Sequence, residues 1–159
     1  MRTRLHTLVF LTLFLAACGR GATSTESFGA LLDGDPNALG EFAGGKALVA
    51  HFVAAGCTAC AEDRILLADL QREFPTVLIA EVNVTDIGVI EQGTTPQADA
   101  MFPVIADKDG ELWRGFQVTV FPTTLLMDRE GRVISRVDGA LDRAELFMRA
   151  QELVDLQKE

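Results

Sequence analysis

Two nearly continuous apolar runs of strand length, at residues 47–54 and 76–84, stand out in the first half of the chain. Such runs are typical of strands that are buried on both faces of a sheet. Between them, apolar residues recur at helical spacing over residues 58–74, and Pro75 ends the pattern. The order strand, helix, strand predicts a crossover unit with two parallel strands.

The end of the chain predicts a hairpin followed by a helix. Residues 123–128 and 132–139 have strand character, and they flank a turn in which Gly131 suits a positive φ. A helix with an apolar stripe then runs to the end of the chain, and Asp142 lies near its start.

Two other segments are less regular. Residues 28–46 are rich in glycine and turn formers, which suggests a short hairpin and a turn before the core. The segment 85–121 predicts a short helix at 94–102, an extended piece at 103–107, a turn, and a second helix at 111–118.

The N-terminus has the pattern of an export signal rather than of a folded element. Two arginines precede a short apolar run, which is too brief to span a bilayer, and the sequence LAAC follows at 15–18. LAAC is similar to the bacterial lipobox, so we expect residues 1–17 to be a lipoprotein signal peptide and Cys18 to carry the lipid. The alternative is a plain secretory signal with a chance cysteine. Residues 18–27 then form a small, polar tether, and residues 28–159 form a single domain.

Charge narrows the class of partner. Loss of residues 1–17 leaves 12 basic and 23 acidic residues, a net charge of −11. Such an acidic domain is a poor binder of nucleic acid, and its charge serves solubility or attracts basic partners.

Once Cys18 is set aside, Cys57 and Cys60 form the remaining cysteine pair, spaced C-x-x-C where the first strand meets the first helix. An exported chain meets an oxidising compartment, in which disulfides persist. Free N–H groups at the start of the helix would stabilise a thiolate at Cys57. A structural zinc site would need four ligands, and the mature chain adds only one histidine, His51. A purely structural disulfide would close a loop too short to gain much entropy, so redox use is favoured.

The order β-α-β then β-β-α, with C-x-x-C at the first junction and VFPTT before the hairpin, resembles the thioredoxin superfamily. The similarity covers residues 28–155 and is closest to the extracytoplasmic TlpA/ResA-like thiol-disulfide oxidoreductases. It implies an α/β, thioredoxin-like fold, with a central mixed β-sheet flanked by helices, an N-terminal hairpin extension and a central insert.

The resemblance also implies roles for individual residues. Cys57 would be the nucleophile and Cys60 the resolving cysteine. Pro122 would follow a cis peptide bond in a loop that faces the cysteines. The expected substrate contacts come from residues beside the cysteines and beside this proline, namely Gly56, Thr58, Phe121 and Thr123. The family usually has Trp where Gly56 stands, and Pro at the second position between the cysteines, which here holds Ala59.

His51 occupies the position, six residues before Cys57, where thioredoxins commonly carry a buried aspartate. An imidazole there could take the proton of Cys60 as a mixed disulfide resolves, and as a cation it would favour thiolates. The alternative is a core histidine whose ring is satisfied by a backbone carbonyl.

These points predict an exported, lipid-anchored enzyme that exchanges dithiols and disulfides with proteins, for instance as a reductase in envelope thiol homeostasis or cytochrome c maturation. Its redox group would be the Cys57–Cys60 disulfide, without a metal or other cofactor. Its partners would be protein substrates, a membrane thiol-disulfide electron donor and the membrane itself. Because Gly19 follows Cys18, we expect the outer membrane where two membranes exist. The alternative is a non-catalytic thioredoxin-like lipoprotein that binds protein or metal.

Overall fold

The computed structural model describes residues 37–84 and 101–156. Within these ranges five strands form one sheet, and helices lie on both of its faces. In chain order the elements are α1 (Asn37–Ala43), β1 (Leu48–Ala54), α2 (Thr58–Glu73), β2 (Leu78–Val84), β3 (Val104–Asp107), α3 (Glu111–Gly115), β4 (Thr123–Met127), β5 (Val133–Asp138) and α4 (Arg143–Asp155).

The sheet is mixed, with strand order β3-β2-β1-β4-β5. β1 pairs with β2 and β2 with β3 in parallel, whereas β4 runs antiparallel to both β1 and β5. This arrangement confirms the parallel crossover unit and the terminal hairpin that the sequence predicts. It is the thioredoxin-like sheet expected from the resemblance.

Side chains of the central strand β1 alternate between two hydrophobic cores, as the pleat of a strand requires. Leu48, Ala50 and Phe52 pack on the side of α1 and α3. Val49 packs on the opposite side, against α2 and α4. By the same alternation His51 lies on the side of α2, which is the helix that begins at the cysteine pair.

The expected N-terminal hairpin is corrected where the structure describes it. Residues 37–43 form α1, and a turn through Gly44 and Gly45 at positive φ leads into β1. Ala38, Leu39 and Ala43 are buried, and their spacing suits one helical face better than an alternating strand. Residues 28–36 lie outside the described part.

The remaining elements follow the sequence closely. Residues 104–107 form a strand, and Asp142 caps α4 by accepting a hydrogen bond from the amide of Glu145. The helix expected at 111–118 ends early, at Gly115, because Gln117 adopts a left-handed backbone with φ 52°. Residues 94–100 of the other expected helix, and most of the central insert, lie outside the described part.

The turn of the terminal hairpin contacts α1 through two glycines. Gly131 has φ 79°, as the sequence predicts, and a Cβ atom built on Gly40 would lie 3.1 Å from its Cα. A Cβ atom at either glycine would therefore press on the facing backbone, which would have to shift by a few tenths of an ångström. Over residues 37–84 and 101–156, no helix has the length and apolar character needed to cross a bilayer.

Candidate active site

The cysteine pair lies where β1 ends and α2 begins. Cys57 is the N-cap residue of α2, and its sulfur accepts a hydrogen bond from the Cys60 amide at 3.2 Å. The two cysteines form a disulfide, and their Cα atoms are 5.4 Å apart. Cys57 is half-buried, whereas Cys60 is only 2% exposed. An attacking partner would therefore meet Cys57 first.

Pro122 lies at the same end of the sheet as the cysteines. Thr123 at the start of β4 pairs with Phe52 near the end of β1, and Cys57 follows five residues later. The peptide bond between Phe121 and Pro122 is cis, as expected from the resemblance. The cysteine pair and the cis-proline loop thus extend from neighbouring strands.

The predicted substrate contacts fall into two groups. Gly56, with φ 77°, and Thr58 are exposed beside the disulfide. Phe121 is half-buried and packs on the core beside α1 and α3. The side chain of Thr123 is fully buried, which leaves only its backbone for any contact with a substrate.

A cavity of about 430 Å³ opens beside the disulfide. Gly56, Cys57, Thr58 and Cys60 line it together with the end of β1. The cavity therefore brings together four of the residues that the sequence singled out. Neither His51 nor Pro122 lies on its wall.

His51 is fully buried beneath α2. Its Nδ1 atom is 2.9 Å from the hydroxyl of Thr124, so the ring is held by a side chain and not by the backbone carbonyl considered above. Its Nε2 atom is 4.0 Å from a carboxylate oxygen of Asp63, and neither of these two atoms has a hydrogen-bond partner among the described residues. Two buried polar atoms without partners thus face each other under the cysteine-bearing helix.

Burial and, to a smaller extent, the positive charge of Arg64 together lower the pKa of His51 from 6.5 to about 4. The imidazole is therefore neutral near pH 7 while the disulfide is closed. The expected stabilisation of thiolates by a cationic His51 concerns the reduced protein and stays a prediction. The neutral ring can still accept a proton.

Sequence reasoning missed Asp63. This carboxylate is 2% exposed, lies one helical turn after Cys60, and accepts a hydrogen bond from the Leu141 amide at 3.0 Å. Burial raises its pKa, against the effect of that hydrogen bond, and nearby Glu62 raises it further. The missed signal was spacing, since Asp63 falls on the stripe that Cys60, Leu67 and Leu70 form along the buried face of α2.

An ion pair between the half-exposed Arg64 and the buried Glu81 was also missed. The guanidinium of Arg64 donates two hydrogen bonds to Glu81, at 2.5 and 3.0 Å, and Glu81 is 6% exposed. Arg64 also lines the cavity beside the disulfide. A charged residue inside the apolar run of β2 was the available signal, because a buried carboxylate requires a partner.

Metal ligation was the main alternative for the cysteine pair. Within residues 37–84 and 101–156, no group of three or more His, Cys, Asp or Glu side chains is placed to hold a metal ion.

Comparison with known proteins matches this site to a family. Residues 42–152 match the family model described as thioredoxin-like domain. Thiol-disulfide oxidoreductase ResA of Bacillus thuringiensis subsp. konkukian (strain 97-27) is 28% identical over 119 residues, which cover 72% of this chain and 67% of that protein.

Solved structures of similar proteins share this fold. MTB dsbF, solved in its mixed oxidised and reduced forms, superposes with a TM-score of 0.55 and 27% identity, covering 69% of this chain and 81% of that one. The pneumococcal exposed lipoprotein thioredoxin Etrx1 of Streptococcus pneumoniae strain TIGR4 superposes with a TM-score of 0.56 and 21% identity, covering 69% and 86%, which shows a shared fold. The chain therefore belongs to the thioredoxin-like domain family, and its cysteine pair together with its similarity to ResA supports thiol-disulfide oxidoreductase activity.

Proposed function

We propose that this protein is an exported, lipid-anchored oxidoreductase that exchanges its Cys57–Cys60 disulfide with cysteines of client proteins. The observation that carries the proposal is the unequal burial of the two sulfurs at the start of α2. Cys57 is reachable and caps the helix, and Cys60 is buried one turn inside it. A pair of this kind can form a mixed disulfide through one sulfur and break it through the other.

In the reducing direction, the Cys57 thiolate attacks a client disulfide and releases one client sulfur as a thiolate. Cys60 then loses its proton and attacks the Cys57 sulfur. This step closes the Cys57–Cys60 disulfide and releases the second client sulfur, so that the client gains two electrons. A membrane thiol-disulfide donor returns two electrons to the pair, for instance in envelope thiol homeostasis or cytochrome c maturation.

Amide groups at the start of α2 support the role of Cys57. The Cys60 amide already points at the Cys57 sulfur, at 3.2 Å, and a thiolate there would accept the same hydrogen bond. The positive end of the helix dipole adds to this stabilisation. Both contributions would favour the thiolate form of Cys57 in the reduced protein.

Cys60 needs a proton acceptor when the mixed disulfide resolves, and His51 is our candidate. It is neutral near pH 7, and its Nε2 faces an oxygen of Asp63, one turn along α2 from Cys60. Neither of these two atoms has a hydrogen-bond partner in the part of the chain that the structure describes. The two groups together can hold the released proton within the protein.

Client binding is assigned to the loop before β4 and to the residues beside Cys57. Backbone groups around Pro122, together with Phe121 and Thr123, would pair with an extended client segment. Gly56 and Thr58 would border the client cysteine. The absence of a side chain at Gly56 leaves the disulfide open to a bulky protein partner.

The anchor rests on residues outside the described part. The signal-like residues 1–17 and Cys18 predict lipidation, and several acyl chains are needed for stable anchoring. Gly19 at the next position favours the outer membrane where there are two. Cys18→Ser should give a soluble or unprocessed chain without labelled lipid, while an unchanged membrane fraction would contradict the anchor.

Trapping tests the enzymatic proposal. Cys60→Ser should accumulate mixed disulfides with envelope proteins, because the second step is blocked, and Cys57→Ser should not. Insulin reduction by the full-length protein provides a direct assay. Absence of both activities, or faster alkylation of Cys60 than of Cys57 in the reduced protein, would contradict the assignment. The non-catalytic alternative would then stand.

A further inference from the structure

The loop between α3 and β4, residues 116–122, carries the cis peptide bond and an unusual backbone. Gln117 is the one non-glycine residue with positive φ in the part of the chain that the structure describes, at 52°. A left-handed conformation of this kind costs free energy and persists where neighbouring groups hold it in place. Further along, Val120 is 46% exposed just before the cis bond.

One side chain from the edge strand β5 holds the first part of this loop. The Arg136 guanidinium donates a hydrogen bond to the carbonyl of Phe116 at 2.6 Å and another to the carbonyl of Gln117 at 3.1 Å. Its third bond goes to the carboxylate of Asp138 at 2.9 Å. The side chain of Arg136 is 31% exposed, so water screens these contacts only in part.

The second part of the loop is tied to the same strand. The same oxygen of Asp138 lies 2.9 Å from the hydroxyl of Thr123, and this hydroxyl is also 2.7 Å from the carbonyl of Val120. The amide of Gly139, just after β5, donates to the carbonyl of Pro122 at 2.8 Å. Arg136 and Asp138 therefore link the two halves of the loop through one ion pair.

This arrangement points to a role in binding rather than in sulfur chemistry. An extended client segment that pairs with backbone groups of the loop binds most tightly when those groups are already in place. Arg136 does not line the cavity beside the disulfide. Its loss would leave the carbonyls of Phe116 and Gln117 without their charged donor and would release the loop.

We propose that Arg136, paired with Asp138, is a positioning residue that sets the affinity of the enzyme for polypeptide disulfides by holding the loop 116–122 in its client-binding form. The inference rests on the proposed function, since it assigns client binding to that loop. It predicts that the enzyme distinguishes disulfides flanked by polypeptide backbone from small ones that carry none.

The test compares Arg136→Gln with Arg132→Gln in the full-length protein. Arg132 lies at the turn of the same hairpin and also pairs with a carboxylate, through its 2.7 Å bond to Asp128. Among the described residues its side chain contacts Asp128 and Glu130, and neither of them is in the loop. Two substrates are used. The first is insulin, whose disulfides lie in polypeptide, with dithiothreitol as the electron donor; the second is the small aromatic disulfide 5,5′-dithiobis(2-nitrobenzoate), which has no backbone and is offered to enzyme that has been reduced beforehand and freed of donor.

Arg136→Gln should raise KM for insulin at least fivefold, the effect expected for about 1 kcal/mol of lost binding, with little change in kcat. Its rate with the small disulfide and its midpoint potential should equal those of the wild type. Arg132→Gln should leave KM for insulin and the rate with the small disulfide unchanged. Arg136→Lys keeps the charge but cannot reach three acceptors at once. Its KM for insulin should therefore fall between the values of the wild type and of Arg136→Gln.

An unchanged KM for insulin in Arg136→Gln would overturn the inference. So would equal losses with both substrates or a shifted midpoint potential, because those would indicate general damage to the site. Wild-type protein that reduces neither substrate would instead contradict the proposed function, which keeps the two failures apart.

Discussion

Asp63 and Asp128 are both buried carboxylates, at opposite ends of the molecule, and the protein treats them differently. Asp128 follows β4 at the end of the sheet far from the cysteines. Its oxygens accept hydrogen bonds from the amides of Glu130 and Arg132 and from the Arg132 guanidinium. Asp63, at the cysteine end, accepts one hydrogen bond, from the Leu141 amide, and its other oxygen has no partner among the described residues.

The pKa values separate accordingly. Burial acts to raise the pKa of Asp128, but the hydrogen bonds and charge of Arg132 outweigh it, and the pKa falls below its usual value. At Asp63 burial dominates, and the pKa rises. Since buried polar groups are normally satisfied, an unsatisfied one requires an explanation. Asp128 is satisfied by the turn that it closes. The unsatisfied oxygen of Asp63 is explained by a functional role beside His51 and Cys60.

The largest expected effect that tests this contrast is an acid sensitivity due to His51. Between about pH 6.5 and pH 4, this histidine is protonated in the unfolded chain and neutral in the folded one. The unfolded state then binds more protons, so stability falls as pH falls, by about 3 kcal/mol over the window. His51→Asn should lose less stability than the wild type between pH 7 and pH 4 in urea unfolding.

The raised pKa of Asp63 has the opposite effect, because it makes the folded state more stable as pH falls. Asp63 is present in both proteins, so the difference between His51→Asn and the wild type isolates the effect of His51. Parallel stability curves for the two proteins would show that His51 titrates normally and would remove the basis for a neutral proton acceptor. A pH profile for the resolution of mixed disulfides, slower in His51→Asn, would complete the assignment.

A second, smaller effect on stability is expected at Asp128, at the end of the sheet far from the cysteines. Asp128→Asn should lower the free energy of unfolding by about 2 kcal/mol at neutral pH, because it weakens hydrogen bonds to a charged acceptor within a buried turn. Because the pKa of Asp128 is lowered, the stability that it provides is present above its unfolded pKa of about 4 and is lost as pH falls further. The difference from wild type should therefore shrink by pH 3, and the rate of insulin reduction should not change.

The smallest effect is expected for Asp63→Asn. Its raised pKa means that stability is lost as pH rises through the folded value, so the charged side chain does not stabilise the native state at neutral pH. The amide can still accept from Leu141. We expect the free energy of unfolding at pH 7 to change by less than about 1 kcal/mol. A loss as large as that of Asp128→Asn would mean that the two carboxylates are equally structural.

The sequence patterns predict the sheet, the cysteine-bearing helix and the terminal hairpin, because local periodicity and turn residues carry them, and the family resemblance implies the cis bond at Pro122. The sequence does not predict the pairing of His51 with Thr124 or of Arg64 with Glu81, since these contacts join residues that are 73 and 17 positions apart. The helix α1 was mistaken for a hairpin because glycines at 40, 44 and 45 outweighed the spacing of its apolar residues. Periodicity would have been the better guide there.

The contact between Gly40 and Gly131 restricts which substitutions these two positions tolerate during evolution. Gly40 is helical, and in an open helix alanine would be preferred by up to about 1 kcal/mol. Here the new methyl group would press on the hairpin backbone, and at Gly131 any side chain would also meet a positive φ. Neither position can change alone without moving α1 away from the turn. In relatives the two glycines should be kept or lost together, so that an alanine at one of them marks a lineage in which this corner has been rebuilt.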